Sequence, residues 1–224
     1  MNFDERIVRI VKDSFFPLLE AGIKFTIPVA VISFALGLIL ALFIALMRIS
    51  GAWLLEGIAK FYVWIIRGTP LLVQLFIIFY GLPKIGVILA PLPSAIIGFT
   101  MNMGAYNSEV IRAAIISIAK GQWEAAYSIG MTKRQALDRI ILPQAARVSI
   151  PPLFNSFISL VKDTSLAASI TLTEMFQVAQ RITAATYEPL VLYCEAAFIY
   201  LMFCTVLTFI QGWIEHRLDK YVAK

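Results

Sequence analysis

QWEAAYSIGMTKRQALDRIILPQ, residues 122–144, brings charge back into a chain that is oily on either side of it. Trp123, Ala126, Tyr127 and Gly130 fall at i, i+3, i+4 and i+7, one face of a short helix. Glu124 stands in its first turn, where the helix dipole favours a negative charge. Gly130 suits a C-terminal stop because it takes the left-handed conformation without strain. Thr132 and Gln135 then have the spacing of a capping box. A second arm follows, with Ala136, Leu137, Ile140 and Ile141 apolar and Lys133, Arg134, Asp138 and Arg139 polar, until Pro143 marks a boundary. The pattern predicts helix, glycine bend, helix, lying at a membrane surface with one face offered to another molecule. An interfacial helix with no partner satisfies the same pattern.

The surroundings of this stretch set the class. The chain has 224 residues, 60% hydrophobic and 15% charged, with a mean hydropathy of +0.82, whereas soluble domains carry about a quarter charged residues. This is the composition of an integral membrane protein. The net charge of +5 comes from scattered Lys and Arg, as expected of cytoplasmic loops and not of a nucleic-acid stripe. Cys194 and Cys204 lie in one apolar segment, about 15 Å apart on a helix, too far for a disulfide. His216, the only histidine, sits in a polar tail, and no Cys or His spacing suggests a metal site. Asp4, Glu5 and Asp13 interrupt any basic leader, so the first span is expected to stay in place as an anchor.

The hydrophobic pattern predicts an all-α integral membrane fold, one domain over 1–224 with about five spans. Phe25 to Met47 is uncharged and long enough to cross. The other spans are expected near 56–80, 94–118, 145–161 and 189–213, with the polar loop at 120–143 between the third and fourth. Pro70 is expected to kink the second, and Pro151-Pro152 argue against a straight fourth. Residues 162–188 are too polar for a full span and read as short helices. Lys120, Lys133, Arg134 and Arg139 place the loop in the cytoplasm. Five crossings then put the C-terminus inside, which its basic tail (His216, Arg217, Lys220, Lys224) supports, and the N-terminus outside. Arg6, Arg9, Lys12 and Lys24 argue against that placement of the N-terminus.

Glu124-Ala125-Ala126, three residues, Gly130, nine residues, Ile140, one residue, Leu142-Pro143 resembles the EAA loop of ABC importer permeases. FYVWIIRGTPLLVQLFIIFYGLP (61–83), GAYNSEVIRAAIISIAKGQWEAA (104–126) and LPQAARVSIPPLFNSFISLVKDTSLAASI (142–170) are similar to polar amino-acid permeases of the histidine, glutamine, arginine and cystine type. Within that group the texture is nearest to L-cystine permeases. The resemblance implies a type I importer permease fold in a bacterial cytoplasmic membrane. It implies a second permease subunit, a pair of ATPase subunits docked on the loop, and an extracytoplasmic binding protein that delivers a polar amino acid. Glu124, Ala125, Ala126, Gly130, Ile140, Leu142 and Pro143 would form the coupling loop. The chain has no G-x-x-x-x-G-K-S/T phosphate loop. It is therefore expected to be no enzyme and to hold no cofactor, with ATP and Mg on the partner.

Charges inside spans usually face an interior or a water-filled path. Glu109 and Arg112, at i and i+3, form a structural pair. Glu195 is expected to meet a cation on another helix or to bond across a dimer. The leading candidates for the substrate path are Lys162, Asp163, Thr164 and Ser165. A zwitterionic amino acid needs a positive group for its carboxylate and an acid for its ammonium, and these residues supply both. The same residues also suit an N-cap for the next helix. Arg67, beside the kink, and Asn102, Gly104 and Asn107 in the third span are further candidates. Two rival functions remain open: an ion-coupled secondary transporter, and a channel or adaptor without an ATPase. A membrane enzyme is weaker still, since no nucleophile–base pair or carboxylate dyad stands out.

Overall fold

The structure is a computed structural model that describes residues 3–219. Every regular element among them is helical. Helix α1 (Phe3–Ala21) passes through a π turn at Gly22–Thr26 into α2 (Ile27–Ile49), so Glu5–Ile49 is one continuous helical run with an apolar stretch long enough to span. Next come α3 (Trp53–Gly68) and α4 (Leu71–Phe76), then α5 (Pro91–Ser117), α6 (Lys120–Ser128) and α7 (Lys133–Ala136). Helix α8 (Leu142–Asp163), a 3₁₀ segment at Thr164–Ile170, α9 (Met175–Thr186) and α10 (Pro189–Asp219) complete the order. By length and composition, two of these helical runs are apolar enough to cross a membrane, or three if the bent pair α3–α4 is one span. The polar residues of α5 and α8 keep them below that mark, although at 27 and 22 residues they are about 40 and 33 Å long.

The core lies where α2, α5 and α8 meet the 3₁₀ segment, around Val29, Phe99, Met103, Leu160 and Ile170. No water-driven burial holds helices together inside a bilayer, so close packing has to do it. A Cβ on Gly37 would lie 2.6 Å from the Met103 Cβ, and one on Gly104 would lie 2.6 Å from a Leu40 methyl. Near the loop end, Arg48 of α2 and Arg112 of α5 both donate to the Glu109 carboxylate. The expected Glu109–Arg112 pair is thus one half of a three-residue clamp. Among the described residues Glu195 meets no cation on another helix. Its carboxylate is bonded to the Ser14 hydroxyl at 2.5 Å, which ties α10 to α1.

Two expectations about prolines need correction. The segment 56–80 is not a kinked rod: α3 and α4 meet at 102°. Pro70 forces Thr69 into extended backbone, φ −121° and ψ 145°, and the helix ends there. Pro143 is not a boundary. Helix α7, a π turn at Leu137–Ile141 and α8 follow one another without a gap from Lys133 to Asp163, and Pro151 and Pro152 lie inside α8. A proline in the first turn of α8 removes an N–H where the wider turn has already shifted the bonding pattern. The Gln144 side-chain amide donates to the Ile140 carbonyl at 3.0 Å. Of the basic tail, Lys220 and Lys224 lie outside the described residues.

Candidate functional site

The loop has the local structure its sequence predicts. Gly130 has φ +81° and ends the first arm. Thr132 and Gln135 form a reciprocal capping box that starts the second. The alanine pair divides: Ala126 is buried, while Ala125 and Glu124 are exposed. Trp123, Ile140 and Leu142 pack with Ile115 and Ile141 onto the ends of the long helices. Pro143 is exposed, and a Gln144–Gln122 bond of 3.1 Å closes the two arms together. One face of the loop is therefore anchored, and the other presents Glu124, Ala125 and Gly130 outward.

The second site is a cavity of about 490 Å³ built where the chain breaks at Pro70. Thr69 and Pro70 contribute the break, α5 contributes Asn102 and Tyr106, and α8 contributes Asn155, Ser156, Ser159 and Asp163. The break is held by Gln74, whose side-chain amide donates to the Ile66 carbonyl (2.8 Å), the Thr69 carbonyl (3.1 Å) and the Thr69 hydroxyl (2.9 Å). These bonds satisfy carbonyls that the missing turn would leave orphaned. Arg67 lies with its guanidinium 5.1 Å from the centre of the Tyr106 ring, beside the cavity. Asn102 is only 6% exposed, yet among the described residues its side chain, like those of Asn155 and Asp163, makes no hydrogen bond. Unpartnered polar groups around a cavity are what a polar solute requires.

The expected cluster at 162–165 is split. Successive residues of a helix point about 100° apart, so Asp163 lines this cavity. Lys162 and Ser165 line a different one of about 540 Å³, with Tyr193, Tyr200 and Cys204. Thr164 is fully buried and donates to the Val161 carbonyl. The capping alternative is not realised either, since Asp163 makes no side-chain cap bond. Gly104 serves helix packing against Leu40 and Tyr62 and does not line the cavity. Asn107 is fully buried outside the cavity lining, with both amide atoms unpaired. Asn155, Ser156 and Ser159 are not among the residues expected from sequence. Their spacing to Asp163, a polar stripe on one face of an apolar helix, is the signal that marks them.

The chain is 57% identical over 216 residues to the L-cystine transport system permease protein TcyB of Bacillus subtilis (strain 168), covering 96% of this chain and 92% of that one. It is 35% identical over 204 residues to the glutamine transport system permease protein GlnP of Escherichia coli (strain K12), covering 90% and 93%. A crystal structure of an amino acid ABC transporter with histidines superposes with a TM-score of 0.89 at 33% identity, covering 97% of this chain and all of that one. The inward-facing MetNI methionine ABC transporter shares the fold at a TM-score of 0.72 and 18% identity, over 89% and 94%. Residues 33–220 match the family described as binding-protein-dependent transport system inner membrane component, and the chain belongs to that family.

Proposed function

We propose that this permease imports a polar amino acid, with L-cystine as the first candidate, as one membrane subunit of an ABC importer. The observation that carries the reading is mechanical. The second arm of the loop and the cavity residue Asp163 stand on one uninterrupted helical run, Lys133 to Asp163, with the first arm joined to it through the Gly130 bend. A partner that pushes on the exposed face of the loop moves a wall of the cavity.

In this reading a pair of ATPase subunits, carrying ATP and Mg, docks on Glu124, Ala125 and Gly130 of two permease copies, and a binding protein delivers substrate from outside. Asp163 takes the ammonium group and Arg67 the carboxylate, while Asn102, Asn155 and the Ser156 and Ser159 hydroxyls fill in hydrogen bonds. Alternating access is a shift between two packings, driven by the ATPase's differential affinity for them. The loop is cytoplasmic and the N-terminus outside. The Arg6–Glu188 ion pair at 3.4 Å supports this orientation, because it holds the start of α1 beside the start of α10, away from the basic end of α10. Identity of 57% to an L-cystine permease supports the substrate.

The test is uptake into proteoliposomes holding the chain with its co-purified ATPase and binding protein. ATP-dependent accumulation of labelled L-cystine, not displaced by excess glutamine or arginine, is the expected result. A chain that purifies without an ATPase and transports under an ion gradient contradicts it.

A further inference from the structure

A third cavity, about 730 Å³, opens between the coupling loop and the ends of α2 and α5. We propose that it binds an anionic phospholipid of the cytoplasmic leaflet, an inference that rests on the cytoplasmic placement of the loop argued above. Its wall is apolar, formed by Ile49, Ile115 and Leu137 where the two long helices end. Acyl chains belong at that depth. Its rim carries Lys120, Lys133 and Arg134 against Asp138, three cations and one carboxylate, a surplus of two positive charges.

The cations are free to act. Among the described residues Lys120 and Lys133 form no ion pair, and Arg134 meets Asp138 only at 3.7 Å, with its side chain 93% exposed. Trp123 also lines the cavity, and its ring suits the boundary between headgroups and hydrocarbon. Glu124 and Ala125, on the outward face assigned to the ATPase, do not line it. The groove therefore does not include the residues assigned to docking. A basic, apolar-walled pocket between helices on the cytoplasmic side matches a phosphate headgroup with its acyl chains. A lipid seated there wedges the anchored face of the loop against α2 and α5.

The test is native mass spectrometry of the purified transporter, equilibrated with equal phosphatidylglycerol and phosphatidylethanolamine. The expected result is retention of phosphatidylglycerol by about thirtyfold over phosphatidylethanolamine, as a surplus of two surface cations at about 1 kcal/mol each gives. That preference falls to parity in the triple variant K120Q/K133Q/R134Q, all exposed positions, and survives in R139Q, which removes a charge from the same loop outside the groove. Equal retention of both lipids by the wild type, or an unchanged preference in the triple variant, overturns the proposal. So does full displacement of the lipid by glycerol phosphate, which marks a simple phosphate site, or by the bound ATPase, which marks a protein interface. Lipid retention is read without transport, so failure of the importer reading shows separately, as absent uptake in every lipid.

Discussion

At Pro70 the chain leaves its helix, turns by 102° and starts a new one. At Pro143 the helix passes through a widened turn and continues to Asp163. Both prolines lie in long helical stretches, and beside each a glutamine side-chain amide donates to a backbone carbonyl, Gln74 to Ile66 in one case and Gln144 to Ile140 in the other. The difference lies in the residue before the proline. Thr69 is extended, whereas Leu142 stays helical at φ −60° and ψ −41° because the π turn makes room. The first arrangement is an elbow that walls a cavity. The second is a rod that joins the loop to the same cavity. A broken helix is tolerated at membrane depth where it lines a polar space, and a transmitting element has to stay whole.

Breaking one and sparing the other should separate binding from coupling. The largest effect is expected in the bend just before the rod. Gly130→Pro replaces φ +81° with a ring locked near about −65°, and the ATPase should no longer co-purify although the permease still inserts. At the cavity, Asp163→Asn should raise the KM for uptake about tenfold, since hydrogen bonds to charged groups contribute about 1.5–3 kcal/mol, while ATPase co-purification is unchanged. Gln74→Leu orphans the elbow carbonyls and should lower stability by about 1–3 kcal/mol, read as a fall in Tm in detergent. Pro143→Ala, at an exposed position in a helix already accommodated by the π turn, should change stability by no more than about 0.5 kcal/mol. A large loss there would mean that the proline itself shapes the rod.

The two regions were not equally legible. The loop announced itself because polar helix grammar stands out in an apolar chain, and Gly130, Thr132 and Gln135 each act on neighbours a few residues away. The cavity did not, because its polar groups come from the elbow, α5 and α8 and are brought together only by packing. Lys162 and Asp163 look like one zwitterion site in sequence, but helical rotation sends them into separate cavities. Gly104 and Asn107 read as path residues because they are small or polar inside a span. Close approach of Leu40 in one case and full burial in the other give them different places. Gln74 is not legible in the sequence, because its role exists only once the helix has ended at Thr69.

In the proposed mechanism the rod from Lys133 to Asp163 carries motion from the loop to the cavity. The most direct test is a two-glycine insertion between Ile141 and Leu142, which interrupts the rod without touching either end. ATP hydrolysis and ATP-driven uptake are then measured together in proteoliposomes. The ATPase should still bind and hydrolyse ATP while uptake is lost. Uptake at the wild-type ratio to hydrolysis would contradict it.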